Sequence, residues 1–174
     1  KDFVAEELKS LAYSDEALPI GASQTISQPY TVAFMMELLD PRPGEKILDI
    51  GAGSGWTAAI LASAAKEEGK IFAVERVSDL CDLGERNVSK YNFIEKGIVE
   101  WRCKNASEGL PEHSPFDKIL VSAALQDEIP DSWKNQLKTG GVIVAPVGNS
   151  IWRYIKNKDG SFKKEEFPGF GFVP

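Results

Sequence analysis

Three glycines spaced two apart, Gly51, Gly53 and Gly55, separate a short apolar run, Lys46–Ile50, from an Ala-, Ile- and Leu-rich stretch at 56–66. An apolar run, a Gly-rich turn and a helical stretch in that order form a strand–turn–helix unit. The unit recurs as Lys70–Glu75 followed by residues 78–91, with Ser78 expected as N-cap and Asp79 in the first turn. Residues 98–103 read as a third strand, 118–122 as a strand buried on both faces because Ile119, Leu120 and Val121 are consecutive, and 142–147 as another. A helix over 131–137 precedes that strand, closed by a turn at Thr139, Gly140 and Gly141. Residues 151–156 and the Phe-rich end pair as an antiparallel hairpin across 158–161, where Asp159-Gly160 is a turn signal. Upstream, Val32, Met35, Met36 and Leu39 recur at helical spacing over 28–39, and Pro41, Pro43 and Gly44 stop that helix. The expected fold is therefore α/β: a mostly parallel sheet flanked by helices, with a C-terminal antiparallel hairpin.

The chemistry of the Gly-rich turn follows from what glycine permits, a sharp bend and close approach of backbone to ligand. Glu75 stands 20 residues after Gly55, at the end of the next strand, where a carboxylate can accept the hydroxyls of a ribose. The spacing is G-x-G-x-G rather than the dinucleotide G-x-G-x-x-G, which moves the expected cofactor from NAD toward S-adenosylmethionine. Asp49 is expected to accept from the N–H groups of the turn or from the cofactor ammonium. A purely structural tight turn is the plainer alternative, and it leaves the acid at that distance without a use.

Composition removes other classes. With 174 residues, 26 Asp and Glu against 20 Lys and Arg, and a net charge of −6, the chain suits a single domain and not phosphate-driven nucleic-acid binding. Lys156, Lys158, Lys163 and Lys164 are expected to form a solvated face, and Trp56, Trp101, Trp133 and Trp152 are too dispersed for a base-stacking platform. No apolar run approaches a membrane span and no signal-peptide pattern is seen, so a cytoplasmic monomer without membrane partners is expected. The chain starts at Lys1 without Met, leaving room for a preceding segment. One His, His113, and two cysteines, Cys81 and Cys103, give neither a metal cluster nor a disulfide framework, and no functional role is expected of them.

Against this background, Leu18-Pro19-Ile20-Gly21 followed by Gln24-Thr25-Ile26-Ser27-Gln28-Pro29-Tyr30 resembles the substrate-loop signature of the protein-L-isoaspartate O-methyltransferase family. Asp49 through Trp56, Val74-Glu75-Arg76, Pro115-Phe116-Asp117, Glu128-Ile129-Pro130, Gly140-Gly141, Pro146-Val147-Gly148 and the closing Phe172-Val173-Pro174 extend the resemblance over nearly the whole chain. The resemblance implies a Rossmann-like class I methyltransferase. It also implies methyl transfer from S-adenosylmethionine to the α-carboxylate of isoaspartyl residues in damaged proteins, which would be its partners. It implies Ser27 as the residue that orients the acceptor, Ile20, Gln24, Thr25, Phe172 and Val173 as substrate contacts, and Asp49, Gly51, Gly53, Gly55, Glu75, Arg76, Asn105 and Ala106 as cofactor contacts. Ser27 is also placed to cap the helix near Gln28. By the same resemblance, residues 1–45 form the substrate loop and helix, 46–148 the cofactor core and 149–174 the hairpin of one domain.

Two departures from the family pattern bear on function. Lys104-Asn105-Ala106 replaces Gly-Asp-Gly, so the adenine amino group meets a neutral and weaker acceptor, and Leu125-Gln126-Asp127 alters the rim after the fourth strand. These motivate a second expectation, an S-adenosylmethionine-dependent methyltransferase with a different small-molecule or peptide acceptor. A third is a homologue that binds without turnover.

Overall fold

The structure, a computed structural model, describes residues 1–172. A short hairpin, β1 (Leu18–Gly21) and β2 (Gln24–Ile26), leads into helix α1 (Pro29–Leu39). The core then alternates β3 (Lys46–Ile50), α2 (Trp56–Ala65), β4 (Lys70–Glu75), α3 (Ser78–Ser89), β5 (Val99–Cys103), β6 (Phe116–Val121), α4 (Asp131–Asn135) and β7 (Leu137–Val147). It closes with the hairpin of β8 (Ser150–Lys156) and β9 (Phe162–Pro168). The second sheet has seven strands in the order β5-β4-β3-β6-β7-β8-β9, parallel as far as β7 and antiparallel beyond it. The expected mostly parallel sheet with a terminal hairpin is present.

Side-chain alternation divides the interior. Along β3, Ile47 belongs to the cluster beneath α1, α2 and α3, whereas Leu48 and Ile50 join Phe72, Phe116, Ile119 and Trp133 on the opposite face. Both faces are thus apolar, as a parallel sheet between two layers requires. The same period of two turns Asp49 toward the α2 face, where the Thr57 hydroxyl meets it. From β3 the chain runs outward through β4 to β5, then returns to the other side of β3 as β6. That reversal opens a crevice at the C-terminal ends of β3, β4 and β6, the place where open α/β sheets take ligands.

The structure departs from the sequence expectations in several places. Ser78 is the first helical residue of α3 and not its cap; Val77 is the N-cap, and its N–H is held by the Glu75 carboxylate instead. Ser27 does not cap α1, whose N-cap is Gln28 with Pro29 at the first helical position, while Asp15 accepts the Tyr30 N–H at 2.9 Å. Helix α4 stops at Asn135, and Gly140 and Gly141 lie within β7, where the pairing with β6 slips. The slip follows from proximity: a Cβ on Gly141 would sit 2.8 Å from the Asp117 carbonyl oxygen. Cys81 and Cys103 form a disulfide, their Cα atoms 5.7 Å apart, which joins the first turn of α3 to the end of β5. By contrast, the lysines of the last hairpin keep the solvated face expected of them: Lys158, Lys163 and Lys164 are exposed, Lys164 pairing with Glu128 and Lys163 with Glu165, while Lys156 donates to the carbonyls of Lys134 and Leu137.

Candidate cofactor and acceptor cleft

The crevice is an open cleft with a cavity volume of about 310 Å³, at the lower end of the roughly 300–1,000 Å³ of a typical small-ligand pocket. On the cofactor side it is lined by Gly51, Gly53, Glu75, Arg76, Asn105 and Ala106. On the opposite side it is lined by Ile20, Gln24, Thr25, Ser27 and Phe172. The structure therefore brings together residues that the sequence separates by more than 140 positions, Ile20 and Phe172 among them. Asp49 and Gly55 do not line the cleft. Val173 lies outside the described residues.

Glu75 organises the cofactor side. Its side chain is buried, with Oε2 accepting the Gly53 N–H at 2.9 Å and Oε1 accepting those of Arg76 at 2.8 Å and Val77 at 2.9 Å. A carboxylate offers about four acceptor sites, so these bonds leave roughly one, on Oε2. The acid thus holds the Gly-rich turn in shape and retains room for one further strong bond. Gly53 takes φ +53°, and a Cβ there would lie 3.3 Å from Ile20 Cδ1, so its lack of a side chain lets the hairpin close down over the turn. Gly55 serves packing: a Cβ on it would come 2.8 Å from the Gly84 carbonyl oxygen and 2.7 Å from Val88 Cγ2 of α3. The buried Asn87 ties the same turn to α3 by donating to the Ser54 carbonyl at 3.0 Å.

Asp49 sits beneath that turn, fully buried, with Oδ2 accepting from Thr57 Oγ1 at 2.8 Å and Oδ1 without a partner. Burial pushes its pKa up to about 7 against the pull of the Thr57 hydroxyl, and the Glu75 carboxylate adds to the push. An unpaired buried oxygen beneath a cradle of glycine backbone suits a cationic group bound above it.

The far wall departs from its expected role in detail. Asn105 Oδ1 accepts the Ser107 N–H at 2.9 Å and so closes an Asx turn, which occupies part of the acceptor capacity expected to serve adenine. Lys104 directs its charge at Glu112, 3.0 Å away. The wall is braced from α4 and its C-cap. Trp133 Nε1 donates to the Ala106 carbonyl at 3.0 Å, and Gln136 accepts from Leu110 N–H at 2.8 Å and donates to Glu108 O. Trp133, expected only to pack, lines the cleft, as do Leu80 and Ser122. An aromatic N–H donor just ahead of the last core strand was the available sequence signal for Trp133; Leu80 and Ser122 carry none. Among the described residues no group of three or more His, Cys, Asp or Glu side chains is placed to hold a metal.

Strand order, Gly-rich turn and the acid one strand over together define a class I methyltransferase fold with a nucleotide-type crevice. Comparison with known proteins narrows this class. The chain belongs to the protein-L-isoaspartate(D-aspartate) O-methyltransferase family, whose sequence profile matches residues 1–174. It is 42% identical to the protein-L-isoaspartate O-methyltransferase of Methanopyrus kandleri, across 99% of this chain and 77% of that one. With the Dictyoglomus turgidum protein of the same name the identity is 43%, across 99% and 76%. Among solved structures, a protein-L-isoaspartate O-methyltransferase superposes with a TM-score of 0.80 at 29% identity, covering 98% of this chain, which spans 57% of that protein's length. A Plasmodium falciparum protein in complex with S-adenosyl-L-homocysteine shares the fold at a TM-score of 0.84 and 22% identity, covering 99% of this chain and 83% of that one.

Proposed function

We propose that this protein transfers a methyl group from S-adenosylmethionine to the α-carboxylate of L-isoaspartyl residues in damaged polypeptides. The observation that carries the reading is that Ser27 and Glu75 line one cleft from opposite sides, a hairpin arching over a Gly-rich turn. The residues fit the cofactor. Glu75 Oε2 keeps one acceptor site for the ribose, Gly51 and Gly53 let the backbone approach, and the unpaired Asp49 Oδ1 lies beneath. When bound, S-adenosylmethionine supplies a methyl group on a sulfonium sulfur, open to displacement by an anionic oxygen.

The protein's share of the chemistry is then positioning. A carboxylate is ionised at neutral pH, so no general base is needed, and the single His113, packed against the Phe72 ring at 4.3 Å, is not required for one. Ser27, free of capping duty, is placed to donate its hydroxyl to one acceptor oxygen and so aim the other. Ile20, against Gly53, and Trp133, against Ala106, exclude water from the two ends. Alignment of this kind can supply much of a barrier reduction of roughly 7–11 kcal/mol. On this reading residues 1–45 supply the acceptor side, 46–148 the cofactor side and 149–174 the closing hairpin.

The reading also takes the protein to be a monomer acting on polypeptides and not on nucleic acid, in the cytoplasm. Disulfides seldom persist in that compartment outside hyperthermophiles, so thiol alkylation of protein isolated under quenching conditions tests the location. The activity itself is tested with labelled S-adenosylmethionine and two peptides that differ only in a normal versus an isoaspartyl linkage. Label on the isoaspartyl peptide alone is expected. Label on neither, with cofactor bound, would move the assignment to another acceptor.

A further inference from the structure

Beside the cleft, α1 and the segment after β9 present three aromatic rings, two of which, Phe34 and Phe170, rest with one side on the core and are only partly buried. Tyr30 is 57% exposed, whereas the helix buries Thr31, Val32, Met35 and Leu39. Its ring stacks with Phe34 at 6.2 Å and Phe170 at 6.4 Å, and Phe34 stacks with Phe170 at 5.2 Å, the three planes within 24° of one another. Phe34 rests edge-on against Phe167 of β9 at 5.4 Å, and the Tyr30 backbone is pinned by Asp15, so the rings form a supported shelf. Stacked aromatics held this way offer apolar area with little ordering left to lose.

The shelf is continuous with the cleft. Gln28, Thr31 and Gly171 border both, and Phe172, which lines the cleft, stacks on Phe170 at 6.5 Å. Ser27, the residue assigned to the acceptor, is three positions from Tyr30 on the same turn of chain. A polypeptide that delivers one residue to Ser27 must lay its neighbours on whatever adjoins the cleft mouth, and here that surface carries the Tyr30, Phe34 and Phe170 rings beside the polar groups of Gln28, Thr31 and Glu166. Its rim carries the Glu166 carboxylate, held by Ser150 Oγ at 2.7 Å, which repels an acidic neighbour.

We propose that Tyr30, Phe34 and Phe170 form a subsite for the substrate polypeptide, receiving a large apolar side chain adjacent to the methylated residue and disfavouring an acidic one. The proposal rests on the assignment of an isoaspartyl polypeptide as acceptor. It makes the enzyme selective among damage sites by their sequence context.

The test measures kcat/KM for three isoaspartyl peptides identical but for the residues flanking the acceptor, which are Phe, Gly or Glu. The ratio of Phe to Gly peptide is the readout, so a general loss of activity cannot mimic the result. A ratio of roughly tenfold is expected for the native chain, with Glu below Gly. In Tyr30→Ala and in Phe170→Ala the ratio is expected to fall toward one. A native ratio near one, or a ratio retained in both variants, overturns the subsite while leaving the acceptor assignment intact. Methylation of none of the three peptides overturns both. A concentration-dependent dimer abolished by Tyr30→Ala would give the shelf to a second copy of the chain and likewise overturn the proposal.

Discussion

Asp49 and Glu75 are both buried carboxylates at the ends of adjacent strands, and their surroundings assign them different work. Glu75 accepts three backbone N–H bonds, which tie the Gly-rich turn to the end of β4. Asp49 has one hydroxyl partner and an unpaired oxygen, and burial raises its pKa from 3.8 to about 7. The sign of the consequence follows from linkage. A carboxyl whose folded pKa is raised leaves the native state undisturbed while protonated in both states, and stability falls as pH rises from about the unfolded value through the folded one. At about 1.4 kcal/mol per unit, the penalty above neutral pH is on the order of a few kcal/mol. Asp49→Asn, which cannot ionise, is expected to be more stable than the native chain at pH 8 and nearly equal to it at pH 4. Urea unfolding at a series of pH values checks this, and parallel curves for the two proteins would show that Asp49 is not held neutral. Above neutral pH, where Asp49 is ionised, the same substitution removes a counter-charge beneath the turn, so at pH 8 cofactor affinity is expected to fall as stability rises.

At the scale of elements, the segments with clear periodicity were legible and the irregular ones were not. β3, β4 and β6 announce themselves because both faces are buried and each carries consecutive apolar residues, Ile47-Leu48, Ile71 through Val74 and Ile119 through Val121. The β1–β2 hairpin does not, since Leu18-Pro19-Ile20-Gly21 lacks alternation and its two-residue turn, Ala22 at φ 49° and Ser23 at φ 57°, carries none of the Asn or Gly that marks such turns. Gly140-Gly141 spelled a turn and forms an irregularity within β7, because only contact with β6 distinguishes the two. The Cys81–Cys103 bond was equally invisible: two cysteines 22 residues apart mean nothing until α3 folds back beside β5. Closing a loop of that length removes roughly 3 kcal/mol of unfolded-state freedom. At about 2–4 °C per kcal/mol, reduction is expected to lower Tm by roughly 6–12 °C. Calorimetry with and without dithiothreitol measures it, with Cys103→Ser as the variant that should start low and not respond. An unchanged Tm in the native chain would mean that the sulfurs are not bonded in solution.

The whole molecule shows why most of the candidate site could be named in advance and its supports could not. Gly-rich turn, acid and substrate loop are local patterns, whereas Trp133, Gln136 and Asn87 act only through contacts made after folding. The cleft draws on β1, the turn after β3, the end of β4, the segment after β5, the segment after β6 and the chain end at Phe172. No subset of these pieces forms the site, so a ligand that binds there must stabilise the entire fold and not one part of it. S-adenosyl-L-homocysteine at about a hundred times its Kd is expected to add roughly 2.7 kcal/mol, or about 5–10 °C in Tm, through a single cooperative transition. Glu75→Gln replaces an oxygen acceptor with an NH₂ donor facing a backbone N–H. It is therefore expected to lower the Tm of the free protein and, separately, to remove most of the ligand-induced rise at the same concentration. A free-protein Tm that falls while the rise persists would make Glu75 a support of the turn alone. A rise that is absent even in the native chain would show that the crevice does not bind this nucleoside, and would remove the basis for S-adenosylmethionine as methyl donor.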